Sequence, residues 1–196
     1  MEQSSWLEAS FYDQQARIGS GAFSNVYRAR IKSKENAYVA IKIMDLEHIS
    51  SSFEDILQEV QTMKMCDDPN ILRCYCSFVN ADQLWLVTEM MDKGSCLRLM
   101  NVAKGLGMGE GMSEEWLAYI LREALQGLHY LHNNGQIHRD IKPGNVLVDS
   151  HGSVRLAGEQ RKEFLQLFHF FPKDENYSES HMQRNLHHAL CDKKVT

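Results

Sequence analysis

The chain has 196 residues, 43% hydrophobic and 24% charged, which are ordinary globular values that exclude a disordered chain or a fibre. A net charge of -5 argues against a dedicated nucleic-acid binder, so no nucleic-acid partner is expected. No pair of CxxC motifs offers a zinc site, no apolar run has the length of a membrane span, and the first residues lack a basic start followed by an apolar stretch. The expectation is a cytoplasmic protein with no membrane association.

In chain order, residues 11–91 read mainly as strands and turns. Segments 38–43 and 83–88 are short apolar runs rich in β-branched and aromatic residues, as buried strands are. One helix interrupts them: Phe53, Ile56, Leu57, Val60 and Met63 recur at helical spacing, and Pro69 follows as a breaker. Gly105, Gly107, Gly109 and Gly111 alternate, which predicts a flexible loop. Ser113 then offers an N-cap, with Glu114 and Glu115 at the positive end of the helix dipole. The helix it opens carries Trp116, Leu117, Ile120, Leu121, Ala124, Leu125, Leu128 and Leu131 on a wide apolar face and ends at Asn133-Asn134-Gly135. Val146-Leu147-Val148 and Val154-Arg155-Leu156 predict a hairpin around Ser150-His151-Gly152. Beyond Gly158 the chain loses its glycines, and only Phe164, Leu165, Phe168 and Phe171 suggest a short helix.

Four features bear on chemistry. Gly19-Ser20-Gly21-Ala22-Phe23-Ser24-Asn25-Val26 is a GxGxxGxV pattern with serine at the third glycine; such a loop can bring bare backbone N–H groups over phosphates, although a plain hairpin turn reads the same way. Lys42 closes the apolar strand Val39-Ala40-Ile41, either as a solvated strand end or as a phosphate contact. Glu59 flanks the apolar face of the helix that follows, where it either points to solvent or pairs inward with Lys42. His138-Arg139-Asp140-Ile141-Lys142-Pro143-Gly144-Asn145 decides among these readings. It matches the HRDxKxxN catalytic-loop pattern at every defined position and follows a long helix.

Taken together, residues 11–157 resemble the protein kinase family. The runs Glu59-Val60-Gln61-Thr62-Met63, Pro69 to Phe78 and Gly94-Ser95-Cys96-Leu97 are similar to the Ste20/germinal-centre group, the last of them most similar to its plant members. The resemblance implies an α+β, two-lobed fold: an N-terminal extension over 1–10, a complete small lobe over 11–91 of antiparallel sheet plus one helix, and part of a helical large lobe over 92–157. It also implies ATP and Mg²⁺ as cofactors and a protein serine or threonine as substrate; Lys142 in the loop separates it from tyrosine kinases. In that pattern Ile18, Gly19, Ser20 and Gly21 cover the nucleotide, and Lys42 holds its phosphates while paired with Glu59. Val26 and Ala40 sandwich adenine from above and Leu147 from below. Thr88 is the gatekeeper, and the backbone of Glu89 and Met91 binds the adenine edge. Asp140 takes or orients the substrate's hydroxyl proton, Lys142 steadies the γ-phosphate, and Asn145 binds one Mg²⁺.

The pattern breaks at one place. Asp-Phe-Gly should follow Val154-Arg155-Leu156-Ala157, and the chain has Gly158-Glu159-Gln160. The absent aspartate is the family's main Mg²⁺ ligand, so transfer is expected to be impaired. Residues 158–196 resemble no part of a kinase and are expected to be a poorly ordered tail. The chain is thus read as a serine/threonine kinase by family with impaired chemistry; the alternative is a non-catalytic isoform that binds nucleotide or a partner. Oligomeric state is not legible.

Overall fold

The computed structural model describes residues 5–21, 24–47, 60–107 and 112–158, with the backbone of 161–162. Strands β1 (Tyr12–Ser20), β2 (Ser24–Ile31), β3 (Tyr38–Asp45), β4 (Cys74–Asn80) and β5 (Gln83–Glu89) form one antiparallel sheet in the order β1-β2-β3-β5-β4. Of the helix expected after β3, residues 60–65 (α1) are described and helical; Glu59 and the residues before it lie outside the described residues.

Strand β5 shows why this lobe needs three layers. Leu84 and Leu86 pack with Val60 of α1, while Trp85 and Val87 join a cluster with Tyr12, Ala29, Ile31, Val39 and Ile41 on the opposite face. A strand buried on both faces reads as a continuous apolar run, which is why 83–88 lacks alternation. The second face is closed by residues 5–11, where two short 3₁₀ turns (Ser5–Leu7 and Ala9–Phe11) set Trp6 and Phe11 against the cluster. The Tyr12 hydroxyl donates to the Trp6 carbonyl at 2.8 Å, and the Trp6 ring meets Tyr75 edge-on. What the sequence offered as an extension is therefore part of the packing.

The second half is built around α3 (Glu114–Asn133). The Ser113 side chain accepts the Trp116 N–H, and Gly135 (φ 68°) turns the chain at the other end, as the sequence predicts. Before it runs α2 (Cys96–Gly105), capped by Ser95, whose Oγ accepts the Arg98 N–H. No expectation covered α2, because Leu97, Leu99 and Met100 make too short a pattern to distinguish helix from strand. Short strands β6 (Gly94–Ser95), β8 (Val146–Val148) and β9 (Val154–Leu156) form a sheet, and β7 (Gln136–Ile137) pairs with β10 (Arg161–Lys162). The expected hairpin is β8–β9, with Gly152 at φ 86° in its turn.

The core here joins Ile71, Cys96, Ile120, Ala124, Leu131, Val146, Val148, Val154 and Leu156. Each aliphatic side chain buried in this way contributes ~1.5–3 kcal/mol. Gly127 is the point of closest approach: a Cβ there would lie 2.9 Å from the Asn70 carbonyl oxygen. The buried Asn70 amide donates to Glu123 at 2.9 Å and to the Val154 carbonyl at 3.2 Å, tying α3 to β9. Only one side of the apolar face of α3 is covered by the described residues; Trp116, Leu117, Leu121 and Leu125 remain exposed. The two-lobed α+β architecture is as expected, while the tail beyond 162 and its proposed disorder lie outside the described residues.

Candidate active site

The loop after β7 gathers several polar contacts. His138 is buried at 1% exposure, and its Nε2 lies 3.1 Å from the Ala157 carbonyl oxygen. Burial holds its pKa below the ordinary value of 6.5, since a charged imidazole would lose its hydration there. Arg139 next to it takes a left-handed backbone (φ 62°), and this sharp turn swings Asp140 out to solvent.

Asp140 then meets both partners that the motif spacing named. Lys142 Nζ donates to its Oδ2 at 2.6 Å, and Asn145 Nδ2 donates to the same oxygen at 2.9 Å and to the Asp140 carbonyl at 2.8 Å. The hydrogen bond from Lys142, then that from Asn145, lowers the carboxyl pKa despite some opposing desolvation. A carboxylate so placed is ionised near neutrality, and its exposure leaves it open to hydrogen-bond donors from outside the loop. The Ala157 N–H donates to the Asn145 carbonyl at 2.8 Å, so this loop and the end of β9 form one unit.

Strand register places the small-lobe candidates. Directly opposed residues in an antiparallel pair share a face. Gly19 opposes Val26, Val26 opposes Lys42, and Ala40 opposes Thr88. Because Lys42 also opposes Leu86, this is the face that carries α1. Gly19, Val26, Ala40, Lys42 and Thr88 are therefore on one side of the sheet, with Ala40 and Thr88 buried. The Gly21 N–H donates to the Ser24 carbonyl at 2.7 Å, closing the glycine turn, while Ala22 and Phe23 lie outside the described residues. A Cβ at Gly21 would approach Ser24 Oγ to 2.9 Å. Ser20 pairs with Asn25, and Ile18 beside it is 38% exposed. The proposed Lys42–Glu59 pair lies outside the described residues on its glutamate side.

After β5 the chain crosses to the second lobe. The Thr88 hydroxyl lies 3.4 Å from the Ala40 carbonyl oxygen. Among the described residues the Met91 N–H enters no hydrogen bond, while its carbonyl accepts from Gly94 at 3.0 Å. Leu147, half-buried in β8, opposes Ser95 and Arg155. Among the described residues no hydrogen bond or ion pair joins the glycine turn to Asp140, Lys142 or Asn145.

Sequence reading missed Arg155. Its Nε donates to Glu89 Oε1 at 3.0 Å across the two lobes, and both side chains are mostly buried. The only sequence signal was a charge inside the apolar run 154–156.

Gly158 stands where the aspartate is expected, at φ 132°, and a Cβ there would lie 3.1 Å from His138 Cε1 and 3.3 Å from Asn145 Nδ2. This position thus faces the catalytic-type loop. On the sheet side Gly19, Val26, Ala40 and Lys42 share one face, a small, apolar and cationic surface whose chemistry suits a base and phosphates. The residues present fit Mg²⁺ only in part: Asn145 retains one amide oxygen, Asp140 already takes two donors, and among the described residues no group of three His, Cys, Asp or Glu side chains converges on a metal position. No helix among the described residues is long and apolar enough to cross a membrane.

The protein kinase domain family matches residues 12–158. A serine/threonine-protein kinase, fray2, of Dictyostelium discoideum is 40% identical over 151 residues, covering 76% of this chain and 14% of that protein. The human mitogen-activated protein kinase kinase kinase kinase 3 is 42% identical over 142 residues, covering 72% of this chain and 15% of that one. Serine/threonine-protein kinase 1 of Arabidopsis thaliana is 39% identical over 146 residues, covering 74% and 17% respectively. The chain therefore spans about a seventh of the length of these relatives, and the family match ends at Gly158.

Proposed function

Because the chain belongs to the protein kinase family, with Ste20/germinal-centre-type serine/threonine kinases as relatives, we propose that it binds ATP between the sheet and the loop at Asp140 and transfers phosphate to protein serine or threonine only weakly. The observation that carries this reading is the meeting of Asp140, Lys142 and Asn145 on one carboxylate oxygen, with Gly158 beside them in the aspartate's place. In this reading Gly19 to Gly21 and Ile18 cover the nucleotide, and Val26, Ala40 and Leu147 hold the adenine. The Glu89 carbonyl and Met91 N–H meet its edge behind Thr88, and Lys42, steadied by Glu59, meets the phosphates. Asp140 orients the hydroxyl that attacks, and Lys142 offsets charge at the group being transferred.

Kinases of this family use ATP with Mg²⁺, and the metal supplies charge neutralisation at the phosphates when bound. Asn145 is the residue proposed to touch it. The aspartate that would hold it most firmly is replaced by Gly158, and electrostatic stabilisation is the larger part of catalysis in phosphoryl transfer. Nucleotide binding then persists while transfer falls.

The test is labelled-phosphate transfer from ATP-Mg to a generic basic protein, run beside the kinase domain of an intact relative. The expected rate is at least about a hundredfold below that of the relative, in the range removed when one electrostatic group is lost. A comparable rate overturns the proposed impairment. Transfer that survives Asp140→Asn overturns the assignment of Asp140.

A further inference from the structure

A charged contact joins the two lobes, from Arg155 to Glu89. Glu89 ends β5, and its backbone is the proposed partner of the adenine edge. Its side chain turns away from the cleft: Oε1 accepts the Arg73 N–H at 2.8 Å and Arg155 Nε–H at 3.0 Å. The Glu89 N–H in turn donates to the Arg73 carbonyl at 3.1 Å. The two charged side chains are only 18% and 21% exposed, so the pair is shielded from the solvent that weakens surface ion pairs.

Arg155 is the middle residue of β9, the strand that leads straight to Ala157 and Gly158. Around it, the Leu72 N–H donates to the Leu156 carbonyl at 2.9 Å, and the Leu156 N–H donates to the Asn70 carbonyl at 2.7 Å. Residues 70–73 thus receive β9 through backbone bonds on one side and reach Glu89 on the other. One carboxylate joins the proposed adenine-edge backbone, the start of β4 and the strand below the cleft.

We infer that Glu89 and Arg155 form a clasp that positions the nucleotide site, setting the separation of the two lobes at its mouth so that the backbone of Glu89 and Met91 meets adenine while β8 and β9 close from below. Neither charged group touches the nucleotide. The pair acts through the backbone of Glu89 and the placement of Leu147, which opposes Arg155 in the β8–β9 ladder. This inference rests on the cleft being a nucleotide site.

The test uses the full chain and a fluorescent methylanthraniloyl derivative of ATP. Arg155→Met is expected to weaken its affinity about fivefold, the effect of a partly shielded ion pair. Arg155→Lys, which keeps the charge, is expected to recover most of that loss. Binding is measured well below each variant's melting temperature, confirmed by circular dichroism, so that a merely structural role leaves affinity for the folded protein unchanged. Amide exchange at Leu72 and Leu156, without nucleotide, is expected to quicken in Arg155→Met and not in Arg155→Lys. Wild-type affinity in Arg155→Met, or equal affinities for the Met and Lys variants, overturns the clasp. If the wild-type chain fails to bind nucleotide at all, the nucleotide reading falls and the clasp's positioning role with it. Unchanged exchange in Arg155→Met shows instead that the pair itself was misassigned.

Discussion

Lys142 Nζ lies 2.6 Å from Asp140 Oδ2, and Asn145 Nδ2 reaches the same oxygen at 2.9 Å. The hydrogen bond from Lys142 is the largest cause of the lowered Asp140 pKa. Lys142→Ala is therefore expected to move that pKa upward, toward the ordinary carboxyl value, with a smaller upward move in Asn145→Ala. Carboxyl titration followed by NMR reads both. A larger response to the asparagine change would mean that the two contacts are ranked wrongly.

Acid should weaken the fold in two steps. His138 is buried with a lowered pKa, so the unfolded chain binds a proton that the folded chain resists. Stability is then fully present above the ordinary value of 6.5 and is lost as pH falls from there toward the depressed folded value. Asp140, also lowered, adds a loss only below its ordinary value of 3.8. Melting temperature measured from pH 7.5 to 5 should fall in the wild type, and His138→Phe should flatten that slope. An equal slope in both assigns the acid sensitivity to other groups.

Gly127→Ala tests the seam between α3 and the 70–72 segment. In an exposed helix this change gains about 1 kcal/mol. Here the new methyl would sit 2.9 Å from the Asn70 carbonyl oxygen and 3.1 Å from Leu156 Cδ1, so backbone must move. A net loss of roughly 1–3 kcal/mol is expected in urea unfolding, the usual range for overpacking. A stabilised variant would show that the seam is looser than described.

Gly158→Asp restores the family's residue but not its surroundings. At φ 132° a side chain is strained, and its Cβ would press on His138 Cε1 at 3.1 Å. A stability loss of about 1–3 kcal/mol is expected from the strained backbone. Denaturant midpoints for the two proteins decide it, and equal midpoints would mean that the backbone relaxes to accept the side chain.

Local signals carried most of this fold. The hairpin at 150–152, the Ser113 cap and the two apolar strands are encoded within a few residues, and each forms where the pattern put it. The loop spacing brings Asp140, Lys142 and Asn145 together for the same reason, since all three lie within one turn of chain. Contacts between distant segments were not legible. Nothing near Trp6 says that its carbonyl will accept the Tyr12 hydroxyl and, at 3.3 Å, the Cys76 thiol. Arg155 finds Glu89 across 66 residues, a pairing set by how the lobes meet rather than by either neighbourhood. Helix α2 was missed because its apolar residues fall in a run too short to show a period.

ATP binding despite Gly158 is read from the melting temperature with and without ATP. A ligand at a hundredfold excess over its Kd adds ~2.7 kcal/mol, which for a domain of this size raises the melting temperature by roughly 5–10 °C. A rise of that order in the wild type, lost in Lys42→Ala and Ala40→Phe, is the expected result. No rise at millimolar ATP, in a protein that melts cooperatively, would contradict it.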